Sequence, residues 1–233
     1  MKLIELNNIS KTFSSKNDPV GVLNNVSLSI NKGDFLAIRG LSGCGKTTLL
    51  NILGCLLKPD SGEIMFRQQR ITEMDEKELA EFRNQKIGFI FQGSHLIPTL
   101  DVLENILVPL IFSPNSKELR RLKKARALEL IEELGLKERV NHLPHQLSLG
   151  QCRRVAIARA LINDPEVLLA DEPTNDLDSV RAAQIADIFS KLHQQGMTII
   201  LVTHLTELAS QAPKSYIMEG GRLELWNQKQ AIL

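Results

Sequence analysis

A glycine-rich stretch over residues 38–50 constrains the fold more than any other feature of the chain. It reads IRGLSGCGKTTLL, and Gly40, Gly45, Lys46 and Thr47 match the pattern G-x-x-x-x-G-K-[ST]. An apolar strand pattern precedes it and an apolar helix pattern follows, which is the context that a phosphate-binding loop needs. Glycines let successive backbone N–H groups converge on an anion, and a helix N-terminus adds partial positive charge. The stretch therefore predicts an α/β fold with a phosphate site at a strand-to-helix turn.

The side chains of this loop have separate predicted roles. Lys46 is expected to reach the β- and γ-phosphates, and the Thr47 hydroxyl to hold Mg²⁺. The other loop residues that we predict to contact the nucleotide are Gly40, Ser42, Gly43, Cys44, Gly45 and Thr48. A glycine-rich turn that has arisen by chance is the alternative interpretation.

The composition narrows the class of protein. The chain has 233 residues, 43% of them hydrophobic, and a net charge of +1, so its overall charge does not predict nucleic-acid binding. The sequence contains neither a signal-peptide core nor an apolar run of about 20 residues, so any membrane contact is expected to come through a partner. Three cysteines without metal-ligand spacing indicate a reducing compartment.

The pattern along the chain predicts an α/β core interrupted by helices. Short apolar strands separated by turns occupy the first part of residues 1–92. Residues 93–164 have helical patterns and no clear strand, and the core resumes over 165–233, ending in a hairpin. One helix of the insertion, predicted over 118–134, carries many basic residues. A solvated helix face or a contact with lipid headgroups would explain them.

Polar side chains follow three predicted strands and are candidates for the chemistry. Asp171 and Glu172 end the strand VLLA, where open α/β sheets bind ligands. We expect Asp171 to hold Mg²⁺ and Glu172 to polarise the attacking water. Gln92 ends another strand and could contact both Mg²⁺ and the water, because its amide both donates and accepts. His204 follows the strand TIILV and could hydrogen-bond the γ-phosphate.

A second anion site is predicted at the start of another helix. Ser148, Gly150 and Gln151 precede the helical pattern CRRVAIARAL. This site lies too far along the chain, in the helical insertion, to share the chain's own phosphate loop easily. The simplest interpretation is that it serves a second copy of the protein.

Taken in order, these motifs resemble the nucleotide-binding subunit of ATP-binding cassette (ABC) transporters. GLSGCGKT is similar to the Walker A loop, LSLGQ to the signature motif and LLADEP to Walker B. Gln92 matches the Q-loop, TNDLD with Asp178 the D-loop, and His204 the switch histidine. Phe13 stands where the family has an aromatic residue that stacks on adenine. The resemblance implies an α/β P-loop NTPase core of the ABC ATPase type, with an N-terminal antiparallel β subdomain and an inserted helical subdomain.

The resemblance also implies how such a chain works. Two copies would form a head-to-tail homodimer holding two ATP molecules, each between one Walker A loop and the other chain's signature motif. The dimer would bind a transmembrane permease on the cytoplasmic face of the inner membrane. The stretch GFIFQGSHLIPTLDVLENILVPL is similar to the subfamily of lipoprotein-releasing and macrolide-exporting ATPases. That resemblance implies that ATP hydrolysis powers export, lipoprotein release or mechanical transmission across the inner membrane.

Two residues depart from the family pattern. Leu149 stands where the signature motif has its first glycine, and Arg153 replaces the more usual glutamine before Arg154. Full stabilisation of the γ-phosphate by the partner's signature motif is therefore an open question. The alternatives are a soluble cassette ATPase that acts on DNA or ribosomes, and a scaffold that binds ATP with weak hydrolysis.

Overall fold

Two long strands near the start of the chain belong to a four-stranded antiparallel sheet. The computed structural model describes residues 1–14, 18–112 and 117–226, without the side chains of 117–120. β1 (Lys2–Phe13) pairs with β2 (Val20–Asn31) and β4 (Ser61–Phe66), and β5 (Gln69–Arg70) extends the sheet in the order β2-β1-β4-β5. Apolar and polar side chains alternate over residues 25–30 of β2, so one face of that strand is buried. The antiparallel sheet predicted at the N-terminus is confirmed.

A six-stranded sheet forms the centre of the fold. Its order is β10-β9-β3-β8-β7-β6, parallel except for the antiparallel pair of β9 and β10. The central strands are continuous apolar runs because both faces are covered, and every residue of β7 and β8 is buried. The strands are β3 (Phe35–Arg39), β6 (Ile87–Ile90), β7 (Val167–Asp171), β8 (Thr198–Val202), β9 (Lys214–Glu219) and β10 (Arg222–Leu225).

Seven α-helices lie among the described residues, and three of them fall between residues 93 and 164. No strand occurs in the described part of that segment, as its helical pattern predicts. The basic helix begins and ends one residue before its predicted bounds. The helices are α1 (Lys46–Leu53), α2 (Glu76–Lys86), α3 (Val102–Leu107), α4 (Lys117–Glu133), α5 (Leu149–Leu161), α6 (Ser179–Gln194) and α7 (Thr206–Ala209).

The six-stranded sheet separates two hydrophobic cores. Alternate residues of one strand point into different cores, since side chains in a strand alternate between faces. In β3, Leu36 and Ile38 pack in the core that contains the antiparallel sheet and α1. Phe35 and Ala37 pack in the core beneath α3, α4, α5 and α6. The sheet therefore fixes the helical segment on one face and the antiparallel sheet on the other.

The basic helix α4 is partly neutralised by acidic neighbours. Lys123 Nζ lies 2.8 Å from Asp164 Oδ2, and Arg126 Nε lies 3.4 Å from Asp164 Oδ1. The side chains of Lys117 and Arg120, which belong to the same predicted basic face, lie outside the described residues. The paired cations favour a solvated face over a lipid contact. Among the described residues, no helix combines the length and apolar character needed to cross a bilayer.

Candidate active site

A cavity of about 1190 Å³ opens where the parallel strands of the central sheet end. Strands β3, β7 and β8 lie side by side, so the segments that follow them meet at one edge. The cavity brings together most of the residues predicted from the sequence. These are Gly40, Ser42, Gly43, Cys44, Gly45, Lys46, Thr47, Thr48, Gln92, Glu172 and His204.

The glycines of the loop hold conformations and contacts that other residues would not tolerate. Gly45 has φ of 108°, and a Cβ there would lie 2.8 Å from the backbone oxygen of Val22. Gly40 also has a positive φ, and a Cβ there would collide with the backbone oxygen of Met218. Gly45 is the N-cap of α1, so the turn leads directly into the helix N-terminus. The loop therefore has the tight strand-to-helix turn on which an anion site at a helix start depends.

The Lys46 ammonium group is already held in place within the loop. Its Nζ donates to the backbone oxygens of Gly40 at 2.9 Å and Leu41 at 2.8 Å, and lies 3.9 Å from Cys44 Sγ. Only 7% of the Lys46 surface is exposed. The cation is therefore confined to the loop, where a phosphate group would contact it.

Asp171 is buried outside the cavity lining, but it contacts Thr47, which does line the cavity. The Thr47 hydroxyl donates to Asp171 Oδ1 at 3.3 Å, which joins the first turn of α1 to the end of β7. Burial raises the pKa of Asp171, as does nearby Glu172, whereas the Thr47 hydrogen bond and Lys46 lower it. A cation bound beside Asp171 would favour the ionised carboxylate and so offset the free-energy cost of burying its charge.

These oxygen donors suit Mg²⁺ bound together with a nucleotide. The described residues contain no group of three or more histidine, cysteine or acidic side chains that could hold a metal. Mg²⁺ does not require such a group, because it keeps several waters and binds through one or two carboxylates together with the substrate phosphates. Thr47, Gln92 and Asp171 supply that kind of donor set.

Glu172 and His204 form a contact across the cavity edge. His204 Nδ1 lies 2.9 Å from Glu172 Oε2, and the His204 backbone N–H donates to the same oxygen at 3.3 Å. Glu172 has φ of 46°, an uncommon conformation for a residue with a side chain. Its backbone N–H donates to the Val202 oxygen at 2.9 Å, which fixes the turn to β8. The carboxylate is thus oriented by the residue that follows the neighbouring strand.

Several predicted residues lie outside the cavity lining. Ser148, Gly150, Gln151 and Asp178 occupy the starts of α5 and α6, and a Cβ on Gly150 would lie 3.3 Å from Arg181 Cδ. The Asp178 side chain caps α6 and pairs with Arg181. The structure therefore brings these four residues together, apart from the phosphate loop.

Phe13 also lies outside the lining. It ends β1 opposite Val20, 42% of its surface is exposed, and Lys11 Nζ lies 5.8 Å from its ring centre. Val22, two residues beyond its partner on β2, does line the cavity.

Sequence reasoning missed some residues of the cavity. Arg39 and Trp226 both line it, and the Arg39 guanidinium lies 5.3 Å from the Trp226 ring centre. Glu219 and Gly220 line it too, at the turn between β9 and β10. The sequence pattern predicted the hairpin but not the strand with which the hairpin pairs. Its pairing through β9 with β3 is what places it beside the phosphate loop.

Comparison with known proteins agrees with this geometry. Residues 23–175 match the family model described as ABC transporter. The chain belongs to the ABC transporter family. An uncharacterised ABC transporter ATP-binding protein of Bacillus subtilis is 45% identical over 223 residues, covering 96% of each chain. A macrolide export ATP-binding/permease protein of Aeromonas hydrophila is 45% identical over 222 residues, and the match spans 95% of this chain and 34% of that protein.

Solved ABC cassettes share the fold of this family member. A dimeric bacterial ABC transporter cassette aligns with a TM-score of 0.86 at 42% identity, covering 95% of this chain and 97% of the other. A dimeric cassette in a post-hydrolysis state, bound to ADP and Pi, aligns with a TM-score of 0.84 at 41% identity, with the same coverage. The predicted ABC ATPase fold is confirmed, and the chain is an ATP-binding, ATP-hydrolysing subunit of an ABC transporter.

Proposed function

We propose that this subunit hydrolyses Mg²⁺-ATP in a head-to-tail homodimer, which drives a membrane permease of the exporter type from the cytoplasmic face of the inner membrane. The observation that carries the proposal is the division of the predicted residues into two groups. The phosphate loop, Gln92, Glu172 and His204 line one cavity, whereas the start of α5 does not contribute to it. A second chain could supply the missing contacts, in keeping with the dimeric cassettes that share this fold.

The residues of the cavity suit the steps of hydrolysis. The loop amides and Lys46 would bind the phosphates, and Glu172 would orient and deprotonate the attacking water. His204, in contact with Glu172, would hydrogen-bond the γ-phosphate. Thr47, Gln92 and Asp171 would hold Mg²⁺, which supplies positive charge to the phosphate oxygens. Phe13 would contact the adenine, and Ser148, Gly150, Gln151 and Asp178 would act on the partner's nucleotide.

The exporter assignment rests on similarity to relatives. The chain spans about a third of the macrolide and pyoverdine export proteins that it matches, which combine ATP-binding and permease functions. We propose the macrolide-exporter type for this subunit, and lipoprotein release stays a prediction that no comparison tests. We also propose that residues 93–164 form the helical subdomain that docks on the permease, and that residues 1–92 and 165–233 form the core.

An experiment with the assembled complex tests the proposal. The chain is co-expressed with the permease encoded nearest to its gene, purified through a tag on the permease, and assayed for Mg²⁺-dependent ATPase activity in lipid nanodiscs. We expect co-purification of two ATPase copies per complex and an ATPase rate well above that of the isolated chain. ATP binding without turnover in the complex would favour the scaffold alternative, and failure to co-purify would contradict the permease assignment.

A further inference from the structure

Helix α5 contacts the Gln92 segment on both sides of Gln92. Before it, Arg153 Nη1 donates to the backbone oxygen of Phe91 at 3.5 Å. After it, Arg159 donates from Nη1 to the His95 oxygen at 2.7 Å and from Nη2 to the Ser94 oxygen at 2.6 Å. The helix that starts at the signature motif therefore holds the backbone on either side of a cavity residue.

Arg153 also reaches the second loop of the active site. Its Nη2 donates to the backbone oxygen of Asn175 at 3.3 Å. The backbone N–H of Asn175 donates to the backbone oxygen of Glu172 at 3.1 Å, and this hydrogen bond closes the turn that runs from Glu172 to Asn175. One guanidinium thus contacts the residue before Gln92 and the turn that carries Glu172.

The surroundings of Arg153 are unusual for a residue that serves stability alone. Only 2% of its surface is exposed, and its Nε has no hydrogen-bond partner among the described residues. Burial lowers the pKa of Arg153, while Asp176 raises it. Burying a guanidinium with one donor unpartnered is costly, and both of its hydrogen bonds are long. A function that needs this arrangement would explain why the cost is tolerated.

The turn that Arg153 contacts contains uncommon backbone conformations and a buried hydroxyl without a partner among the described residues. Glu172 and Asp176 both have positive φ, and Thr174 Oγ1 is buried without a hydrogen-bond partner among the described residues. A backbone with such conformations keeps them only when neighbouring groups hold it. Arg153 is one of those groups, since it contacts Asn175 between the two residues with positive φ.

We propose that Arg153 is a positioning residue, which fixes Gln92 and Glu172 relative to each other by joining the Phe91 carbonyl to the Asn175 carbonyl from α5. The inference rests on the proposed roles of Gln92 and Glu172 in hydrolysis. It assigns a purpose to Arg153, where the family more often has glutamine. A shorter side chain would not contact both carbonyls from the same place on α5.

The first test is steady-state kinetics of the permease complex with Arg153→Met and Arg153→Lys. We expect Arg153→Met to lower kcat by about 10- to 100-fold, the size of effect that misplaced reacting groups produce, with little change in KM. Arg153→Lys keeps the charge but can donate to fewer carbonyls at once, so its kcat should lie between those of Arg153→Met and the parent. The matched control is Arg154→Met, since Arg154 is also on α5 but donates to the Leu134 oxygen, in the helical segment.

A double-mutant cycle separates positioning from a general loss of structure. If Arg153 acts partly through Gln92, Arg153→Met should lower kcat less in a Gln92→Ala background than in the parent. Calorimetry of ATP binding should give the same affinity for parent and Arg153→Met, because the phosphate loop is intact. If Arg153→Met does not fold, Arg153→Lys is used in the cycle instead.

The outcomes are distinguishable. Unchanged kcat in both Arg153 variants, equal losses in the Arg154 control, or additive effects with Gln92→Ala would each overturn the positioning role while leaving the proposed function intact. A parent complex without ATPase activity would instead overturn the proposed function, and the inference with it.

Discussion

The phosphate loop and the start of α5 are the two helix starts that we predict to bind anions, but only the loop lines the cavity that holds Glu172 and His204. The loop encloses Lys46 and lies in a cavity with Glu172 and His204. At α5, the Ser148 oxygen accepts from the Gln151 N–H at 3.3 Å, and the Gln151 side chain accepts from the Ser148 N–H at 2.8 Å. This capping box satisfies the helix start internally.

The phosphate loop and the start of α5 differ in whether their own chain supplies the contacts that nucleotide binding needs. In the phosphate loop, contacts within one continuous stretch hold the Lys46 ammonium group in place. At the start of α5, 43% of the Leu149 surface is exposed, and Leu149 does not line the cavity that holds the phosphate loop. Substitutions in the loop should therefore affect binding by a single chain, whereas substitutions at the signature motif that begins α5 should affect only steps that need a second copy.

The largest expected effect comes from Glu172→Gln, which separates binding from chemistry. Loss of the general base should lower kcat by about 10²- to 10⁴-fold, while ATP affinity stays close to that of the parent. The variant should then accumulate as an ATP-bound dimer, measured by size-exclusion chromatography with ATP and Mg²⁺. Glu207→Gln in α7 is the control. Normal turnover by Glu172→Gln would show that the chemistry does not depend on this carboxylate.

The next largest effect is expected for Lys46→Ala, which tests whether the loop binds nucleotide without a second chain. Removing charge-assisted hydrogen bonds to the phosphates should weaken ATP binding by about 10- to 100-fold. Trp226 is the single tryptophan of the chain and lines the cavity, so its fluorescence during ATP titration of a dilute sample provides the measurement.

The matched control for Lys46→Ala is Lys58→Ala. Lys58 pairs with Glu76 on an exposed surface, and its loss should leave ATP affinity unchanged. Equal affinity of the parent and Lys46→Ala would contradict the assignment of the phosphate loop.

The same contrast explains how far the sequence could predict the structure. The phosphate loop and the buried strands follow from local patterns, so their positions agree with the structure to within a few residues. Helix α3 was not predicted, although Asp101 and Glu104 form a capping box that marks its start. Short helices have weak periodicity, and the capping signal was the better guide.

Contacts between distant segments could not be predicted from patterns. Trp226 and Arg39 meet only because β9, which precedes the Trp226 segment, pairs with β3. Arg153 stood out as a departure from the family pattern, but its contacts depend on how α5 packs against β6 and the turn after β7. Such contacts are set by tertiary packing and not by spacing along the chain.

Leu149→Gly tests whether the side chain at the start of α5 limits the ATPase rate. If Leu149 crowds the partner's nucleotide, its removal should raise the ATPase rate of the permease complex by about fivefold, equivalent to ~1 kcal/mol of relieved crowding. Glycine also weakens the first turn of a helix, so Leu149→Ala is the matched variant that shortens the side chain with less cost to α5. Rates equal to or below that of the parent in both variants would show that the leucine is accommodated without crowding.

The smallest expected effect is on thermal stability, and it concerns Asp171, the predicted Mg²⁺ ligand next to the phosphate loop. Because burial raises the pKa of Asp171, its ionised form is less favourable in the folded chain than in the unfolded chain. At pH 7 this lowers the free energy of unfolding, and the loss disappears as the pH falls below the ordinary pKa of an aspartate. Asp171→Asn should therefore raise the Tm of the nucleotide-free chain at pH 7 by roughly 2–4 °C, the shift that ~1 kcal/mol produces in a chain of this size.

Thermal unfolding without nucleotide or Mg²⁺, at pH 7 and again at pH 5, measures this difference. The gain from Asp171→Asn should be smaller at pH 5, because more of the parent carboxylate is then protonated. Asp187→Asn, at an exposed position of α6, is the control and should change the Tm little at either pH. The same Asp171→Asn variant should lose Mg²⁺-dependent ATPase activity, since its amide is a weaker ligand than a carboxylate. A lower Tm for Asp171→Asn at pH 7 would mean that the hydrogen bond from Thr47 outweighs the cost of burial, and that the cation site is stable without its ion.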